Sequence, residues 1–354
     1  LILISSANDF LTLFLGLETL SIALYVLCCY MKTWAISHEA SFKYFLFGSI
    51  STSLLLFGIA MIYGATGTTR FDAFEPLDNT LFMGGIAFVT ASLLFKAAIV
   101  PFHIWAPDVY AGAPTPVTAF MAIGTKAGAF AAFIRIFLAT FGSFDPVWHQ
   151  ALQLLAMITL IFANFVAIRQ TNLRRFFAYS GISHAGFLLI PLAAGSHEAI
   201  ASMLFYIVIY SLATLGAFCC LSFLDDKPEG PTIHDLKGLF TYSPLLASTF
   251  AFCLLTLGGI PPTIGFFAKF YVLKVAFSAG LISLVIVGLL TTILAAYYYL
   301  RIATAIFQPQ QQLASVPLYS MPTAIASGVS CLAILGFSLY PEPLLELFAG
   351  VCKG

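Results

Sequence analysis

Apolar residues occur along the chain in ten long runs, with most polar and charged residues gathered between them. A helix that crosses a bilayer needs about 20 consecutive apolar residues. The pattern therefore predicts an all-α fold, a polytopic transmembrane helix bundle. The predicted segments are 7–30, 40–63, 80–100, 116–141, 148–168, 175–194, 198–224, 243–275, 279–307 and 321–349.

Two of these segments contain residues that interrupt helices. The third ends at Pro101 and runs into the proline-rich stretch FHIWAPDVYAGAPTP, and the eighth contains GGIPP at 258–262. Proline removes a backbone donor, and non-helical backbone at membrane depth persists only where protein or a wet cavity satisfies it. The sequence predicts two discontinuous helices, near Pro101 and Gly258–Pro262, with simple proline kinks as the alternative.

The two interrupted segments are five helices apart, so they cross the membrane in opposite senses. This layout is typical of two inverted five-helix repeats, the arrangement in which interrupted helices form a transport site. The prediction rests on layout alone, because the two halves share no convincing sequence identity.

Composition excludes several classes of protein. Hydrophobic residues make up 60% of the 354 and charged residues 8%, and a soluble domain of this length could not bury so much apolar surface. The net charge of zero gives no indication of a nucleic-acid partner. The seven cysteines form no CxxC motif, and there is no glycine-rich phosphate loop or haem-ligand histidine pair. We therefore expect no cofactor or metal in this chain and no redox chemistry.

Basic residues are unevenly divided between the loops. Those after odd-numbered segments carry Lys32, Arg169, Arg174, Arg175, Lys227 and Lys237, whereas the opposite loops carry only Arg70 and Lys353. The positive-inside rule places the first group in the cytoplasm or an equivalent compartment.

Five of the charged residues within the apolar segments are candidates for function. Each charge at the bilayer centre costs roughly 2.5–3.5 kcal/mol on insertion scales. They are Glu18, Lys43, Lys96, Lys126 and Lys269. One acid cannot pair with four lysines, and a buried lysine without a partner can take up and release a proton. These five residues together predict a row of buried titratable groups that transfers protons. Static ion pairs are the alternative for Glu18 and Lys96, and extension of the side chain to the membrane interface is the alternative for Lys43 and Lys269.

Three further residues are candidates for proton handling. His184 lies in YSGISHAGF beside serine hydroxyls and suits a proton relay, although a hydrogen-bonded packing role fits nearly as well. His103 and Asp108 in the proline-rich stretch indicate either loop structure or proton uptake. Aromatic residues near segment ends are interpreted as interfacial anchors: Tyr25, Tyr63, Tyr110, Trp34, Trp105 and Trp148.

The motifs resemble the antiporter-like subunits of respiratory complex I. The matching stretches are FLGLETLSIALY, SFKYFLFGS, LLFKAAIVPFHIWAPDVYAGAPTPVTAF, TKAGAF, RQTNLRRFFAYSGISHAGF and GGIPPTIGFFAKFYVL, which together extend over nearly the whole chain. The resemblance implies a family fold of fourteen helices, of which residues 1–354 would hold helices 5–14. The chain begins at Leu1 inside an apolar run, and we interpret it as one antiporter-like membrane domain that is N-terminally incomplete.

The resemblance also implies roles for the buried residues. Glu18 and Lys96 match the acid–lysine pair of the first half-channel, and Lys126 matches the connecting lysine. His184 matches the central histidine and Lys269 the lysine of the second half-channel. Lys43 matches a lysine of the helix that follows the acid. A lysine at position 269 favours one branch of the family over the sibling branch with glutamate there.

A proton-translocating subunit of an NADH–quinone oxidoreductase is the function that the resemblance implies. NADH, FMN, iron–sulfur clusters and quinone would bind to partner subunits. Neighbouring antiporter-like subunits and the lipid bilayer would surround the chain, in a bacterial plasma membrane or a mitochondrial inner membrane. A multi-subunit cation/proton antiporter and a static membrane scaffold are the two alternatives.

Overall fold

The computed structural model describes residues 1–73, 79–138, 146–225, 228–309 and 320–351. Within these ranges every regular element is a helix, and nine continuous helical stretches are long and apolar enough to cross a membrane, one of which, Thr115–Ile136, includes a π turn. The predicted all-α class is therefore confirmed. Lys227, Cys352 and Lys353 lie outside the described residues.

The helices follow one another with short connections. They are α1 (Ile2–Ser6), α2 (Phe10–Cys28), α3 (Ala35–Thr66), α4 (Thr80–Ala97), α5 (Trp105–Gly112), α6 (Thr115–Phe120), α7 (Lys126–Phe133), α8 (Pro146–Ile168), α9 (Leu173–Ala194), α10 (His197–Ser222), α11 (Leu239–Tyr242), α12 (Pro244–Gly258), α13 (Ile264–Ser278), α14 (Ile282–Ile306), α15 (Met321–Leu339) and α16 (Glu342–Val351). A π turn, Met121–Thr125, joins α6 to α7, and short 3-10 turns lie at Phe71–Ala73 and Ile233–Leu236.

Most predicted segments correspond to single helices, and the differences have local causes. The second segment is longer than predicted: α3 extends over 32 residues, includes the polar start ISHE and ends at Thr66, before Gly67. The last segment divides into α15 and α16, because Pro341 lies between them. The α9 helix lies at the centre, since nearly all of its side chains are buried.

Both predicted interruptions are present. The α4 helix stops at Ala97, and Ala98 adopts a left-handed conformation (φ +59°) before the chain reaches α5. The eighth segment divides into α12 and α13, each 15 residues long, with Gly259 left-handed between them (φ +73°). The prediction of two discontinuous helices is confirmed. The inverted symmetry of the two halves stays a prediction.

Polar groups from other helices satisfy the backbone at both interruptions. At the first, the Val100 amide donates to the hydroxyl of Thr159 on α8 at 3.2 Å. At the second, Lys269 Nζ donates to the Gly258 carbonyl at 2.9 Å, and the Ile264 amide donates to Ser338 Oγ at 2.9 Å. Side chains thus replace the hydrogen bonds that the broken helices lose, as buried backbone requires.

Thr159→Val should destabilise the first interruption selectively. Valine keeps the shape of threonine but leaves the Val100 amide without its acceptor, which costs about 1–3 kcal/mol in a buried setting. The measurement is the thermal unfolding midpoint of the purified assembly. Thr291→Val is the matched control, because Thr291 is also buried and donates only to carbonyls of its own helix, Val287 O at 2.8 Å and Gly288 O at 3.1 Å. Equal midpoints for the two variants would contradict this role for Thr159.

The expectation of interfacial aromatics is wrong for three of the six residues. Tyr25, Trp105 and Tyr110 are buried, with exposed fractions of 8%, 2% and 1%. They lie near the predicted segment ends, but the interruption after α4 brings α5 inward and surrounds Trp105 and Tyr110 with other helices. Tyr63 is exposed, as predicted.

The loops that carry the predicted cytoplasmic charges meet at one end of the bundle. Arg174 is fully buried there, where it donates to the Ala111 carbonyl at 2.8 Å and pairs with Asp225, which follows α10. Its guanidinium also lies 5.7 Å from the centre of the Trp34 ring. These contacts join the connections after α2, α5, α8 and α10, so the basic loops share one face.

Candidate functional site

Glu18 and Lys96 form a buried ion pair between α2 and α4. Lys96 Nζ lies 3.5 Å from Glu18 Oε1, and the two side chains are 6% and 17% exposed. Lys96 also donates to Ser21 Oγ at 2.6 Å, and Thr52 of α3 donates to Glu18 at 2.6 Å. Because Glu18 and Ser21 are one turn apart on α2, both face the last turn of α4. The sequence prediction of this pair is confirmed by the geometry.

Lys126 is buried without a carboxylate. It is the first residue of α7, directly after the π turn, and its side chain is 3% exposed. Its amine donates to the hydroxyl of Tyr110 at 3.3 Å. Across the part of the chain that the structure describes, no acidic oxygen lies within 4 Å of Lys126. The Lys126 side chain therefore lies between helices of the bundle rather than on its outer surface.

Lys126 reaches the central helix through Gly181. A Cβ added to Gly181 would lie 3.1 Å from Lys126 Nζ and 3.4 Å from the Tyr210 hydroxyl. The Lys126 amine and the Tyr210 hydroxyl are therefore close enough for one or two water molecules to bridge them. The Tyr210 hydroxyl donates to the Ala122 carbonyl at 3.1 Å, in the π turn that precedes Lys126.

His184 lies one turn after Gly181 on α9, held between two phenols. Its Nδ1 is 2.8 Å from the Tyr206 hydroxyl and its Nε2 is 3.3 Å from the Tyr299 hydroxyl, which also contacts Ser180. The ring is 6% exposed. An imidazole with a hydroxyl at each nitrogen can accept a proton on one side and release one on the other.

A small cavity joins His184 to Lys269. Its volume is about 10 Å³, and both side chains line it together with Tyr206, Tyr210 and Thr256. That space is close to what one water molecule needs, and the hydroxyls supply polar partners for it. A single water in the cavity can therefore connect the histidine to the lysine.

Lys269 is buried at the second interruption, again without an acidic partner among the described residues. Its side chain is 4% exposed, and its amine contacts the Gly258 carbonyl and lies 5.2 Å from the centre of the Phe187 ring. That carbonyl belongs to the free C-terminal end of α12, where helix dipoles favour a cation. Gly259 makes room for the side chain, because a Cβ there would lie 2.7 Å from Lys269 Cδ.

A groove on the outer side of α13 also reaches Lys269. Its volume is about 380 Å³, and its walls are mostly apolar, formed by Phe266, Phe270 and Phe277. It ends near Lys274, an exposed residue paired with Glu198 at 3.4 Å. The buried lysine therefore forms part of the wall of this mostly apolar groove.

A series of aromatic rings in contact leads from Tyr25, one turn after Ser21 on α2, to Tyr110 beside Lys126. Tyr25 contacts Tyr44 edge-on at 4.8 Å between ring centres, and Tyr44 stacks on Trp105 at 4.6 Å. Trp105 lies 6.4 Å from Tyr110, which reaches Lys126. Among the described residues the interval between Lys96 and Lys126 contains no continuous hydrogen-bonded chain. A short hydrogen-bonded link between these two lysines stays a prediction.

Three candidate residues lie away from the row that is formed by Glu18, Lys96, Lys126, His184 and Lys269. Lys43 is about one-third exposed and pairs with Glu39 at 2.7 Å and with Asp108 at 2.8 Å. Asp108 also accepts from Arg175 at 2.9 Å, so it fixes α5 against α3 and α9. His103 packs its ring on Phe162, and burial lowers its pKa below the ordinary value, which keeps it neutral. The structure thus favours structural roles for Lys43, Asp108 and His103.

Sequence reasoning missed the tyrosines that surround the row. The hydroxyl of Tyr110 contacts Lys126, and the hydroxyls of Tyr206 and Tyr299 contact His184. The hydroxyl of Tyr210 donates to the Ala122 carbonyl, in the π turn before Lys126. Tyr206, Tyr210 and Tyr299 lie inside apolar helices rather than at their ends, and a phenol within a membrane helix usually seeks a hydrogen-bond partner. That position in the sequence could have marked these three.

The fold and the site define a polytopic helical membrane protein with titratable residues buried between interrupted helices. The family model described as NADH:quinone oxidoreductase/Mrp antiporter, transmembrane region, matches residues 7–295 of this chain. The chain belongs to that family.

Relatives and solved structures agree with this assignment. Subunit N of the NADH-quinone oxidoreductase of Protochlamydia amoebophila is 58% identical, an alignment that covers 99% of this chain and 74% of the relative. A chain of respiratory complex I from Thermus thermophilus is similar with a TM-score of 0.86 and 34% identity, over 97% of this chain and 76% of that one. A chain of the Mrp complex from a Dietzia species has a TM-score of 0.89 at 22% identity, covering 98% and 74%, and shows the fold alone.

Proposed function

We propose that this chain is the proton-translocating subunit N of a complex I-type NADH-quinone oxidoreductase. The observation that carries the proposal is a set of buried lysines, Lys126 and Lys269, whose partners among the described residues are hydroxyls and backbone rather than acids. An unpaired buried cation is costly, so its retention indicates use. Relatives that are subunit N of this enzyme support the same conclusion.

The geometry supports an order of contacts along the row. Glu18 and Lys96 form the one acid–lysine pair in it, and a change in their separation would alter how firmly Lys96 holds its proton. His184 and Lys269 line one water-sized cavity with Tyr210, whose hydroxyl lies near Lys126 beside Gly181, so short proton transfers along these groups are geometrically feasible. Lys43, tied to two acids, would fix helix positions rather than carry protons.

The redox chemistry would lie in partner subunits. NADH, FMN, iron–sulfur clusters and quinone would bind there, and this chain would contribute no cofactor site. Electron transfer to quinone would drive movements or charge changes that reach Glu18 and Lys96 through neighbouring membrane subunits. An integral, multi-pass position in a bacterial inner membrane fits the bacterial relatives.

Lys126→Ala tests the proposal, because it removes the central lysine without touching an ion pair. The purified enzyme complex would be reconstituted into vesicles, with proton uptake followed by a pH-sensitive dye during NADH oxidation. We expect pumping to fall by about tenfold or more, since positioned proton-transfer groups contribute factors of 10²–10⁴. Lys237→Ala, in the connection before α11, is the control and should pump normally.

The outcome separates the proposal from its alternatives. Normal pumping by an assembled Lys126→Ala complex would identify the chain as a static scaffold. Sodium-dependent exchange in vesicles without NADH would identify a cation/proton antiporter. Loss of pumping with assembly intact is the result that the proposal requires.

A further inference from the structure

A thiol and an imidazole meet at the end of α2, apart from the buried row. Cys29 follows the last residue of α2, and its Sγ lies 2.9 Å from Nδ1 of His38 in the first turn of α3. Cys29 is half-buried and His38 is exposed. Both side chains are therefore accessible at the surface of this chain.

A backbone carbonyl fixes the tautomer of the neutral His38 imidazole, that is, which ring nitrogen carries the hydrogen. Nε2 of His38 lies 3.0 Å from the carbonyl oxygen of Lys32, and a carbonyl only accepts hydrogen bonds. Nε2 must therefore carry the ring hydrogen in the neutral form, which leaves the lone pair of Nδ1 directed at the thiol of Cys29. Nucleophile, base and orienting group are arranged in the order that activates cysteines in enzymes.

The surroundings hold this arrangement in place. Ser37, the residue before His38, donates through its hydroxyl to the Cys28 carbonyl at 2.5 Å, which ties the start of α3 to the end of α2. Glu39, the residue after His38 on α3, is engaged by Lys43 at 2.7 Å. The imidazole is thus the basic group that directly contacts the sulfur.

We propose that Cys29 is a modification site, an activated thiol that exchanges with small disulfides. The proton of the thiol passes to Nδ1 of His38, and the sulfur attacks one sulfur of the incoming disulfide. The disulfide bond breaks, a mixed disulfide forms on Cys29, and the departing thiolate takes the proton from His38. No other oxidant is required, because the incoming disulfide is reduced as Cys29 is oxidised.

The test compares thiol exchange in wild type and His38→Gln, using the whole enzyme complex in native membranes and 2,2′-dithiodipyridine as the disulfide. Modified Cys29 would be counted by mass spectrometry of its peptide, with Cys29→Ser to verify the assignment. At pH 7 we expect His38→Gln to slow the reaction by about tenfold or more, because a positioned base contributes at least that much. At pH 10 the two rates should converge, because hydroxide ion in the solution can then take the proton of the thiol in place of His38.

Another histidine and another cysteine of the same chain serve as controls, to test whether the effect is specific to His38 and Cys29. His197→Gln changes another exposed histidine at a helix start and should leave Cys29 at its wild-type rate. Cys219, half-buried on α10 with no imidazole bonded to it in the described part of the chain, should react slowly in all variants. Equal rates for wild type and His38→Gln at pH 7 would overturn the proposal. The proposal would also be overturned if His38→Gln reacted more slowly than wild type by the same factor at pH 10, because His38 would then affect only the access of the disulfide to Cys29.

Discussion

Glu18→Gln and Lys96→Ala each lower proton pumping by about tenfold or more while the complex still assembles. The pair is buried, and removing one member of a buried ion pair costs about 3–5 kcal/mol because the other charge loses its compensation. A factor of ten corresponds to only about 1.4 kcal/mol, so in Glu18→Gln only part of that energy has to act on the proton held by Lys96, whereas Lys96→Ala removes the amine that holds the proton. Quinone reduction should fall with pumping, because the two are coupled.

The control for this pair lies on the surface of the same chain. Lys274 and Glu198 are 3.4 Å apart, nearly the separation of Lys96 and Glu18, but both are more than half exposed. Exposed pairs contribute about 0–1 kcal/mol, so Lys274→Ala and Glu198→Gln should pump at nearly wild-type rates. If the buried and exposed variants gave the same rates, the charge of Glu18 would have no part in pumping.

Gly265→Ala has the largest expected effect on stability. Gly265 lies in the first turn of α13, where an added Cβ would come within 1.8 Å of the Thr256 carbonyl oxygen of α12. Overpacking usually costs about 1–3 kcal/mol, and a clash with backbone cannot be relieved by turning a side chain, so we expect the upper end or more. The expected result is a lower unfolding midpoint and a reduced amount of assembled chain.

The effect of Gly265→Ala should extend to Lys269, which is one turn further along α13. Moving α13 away from α12 lengthens the contact between Lys269 and the Gly258 carbonyl, so pumping per assembled complex should fall as well. Gly328→Ala in α15 is the control, because no atom lies within 4 Å of its Cβ position. A wild-type midpoint for Gly265→Ala would show that α12 and α13 are not packed as closely as described.

The positions of the helices, the interruptions and the buried lysines follow from the sequence because each has a strong local cause. Membrane-length apolar runs, proline beside glycine, and a charge within an apolar run each permit few structures. Lys126 and Lys269 could be identified for that reason.

The connections between these residues could not be predicted, because they depend on tertiary packing. Tyr110 looks interfacial in sequence, and only the inward course of α5 brings it to Lys126. Lys43 looks intramembrane in sequence, yet α3 begins five residues earlier than the predicted segment, and the lysine meets Glu39 and Asp108 instead. A phenol or an ammonium carries no local sign of the partner that it finds across the bundle.

At the π turn Met121–Thr125 the chain can lose one residue while the side chains that follow, Lys126 among them, keep their directions. A π turn contains one residue more than the α-helical turn that it replaces, and each residue of an α-helix rotates the chain by about 100°. If the five residues tightened into regular helix with none removed, Lys126 would swing away from Tyr110 and Gly181. A one-residue deletion inside the turn would instead restore a regular helix and leave Lys126 aimed as it is. Among relatives, single-residue gaps at this turn are therefore compatible with a preserved row, whereas the same gap within α7 would misdirect every side chain after it.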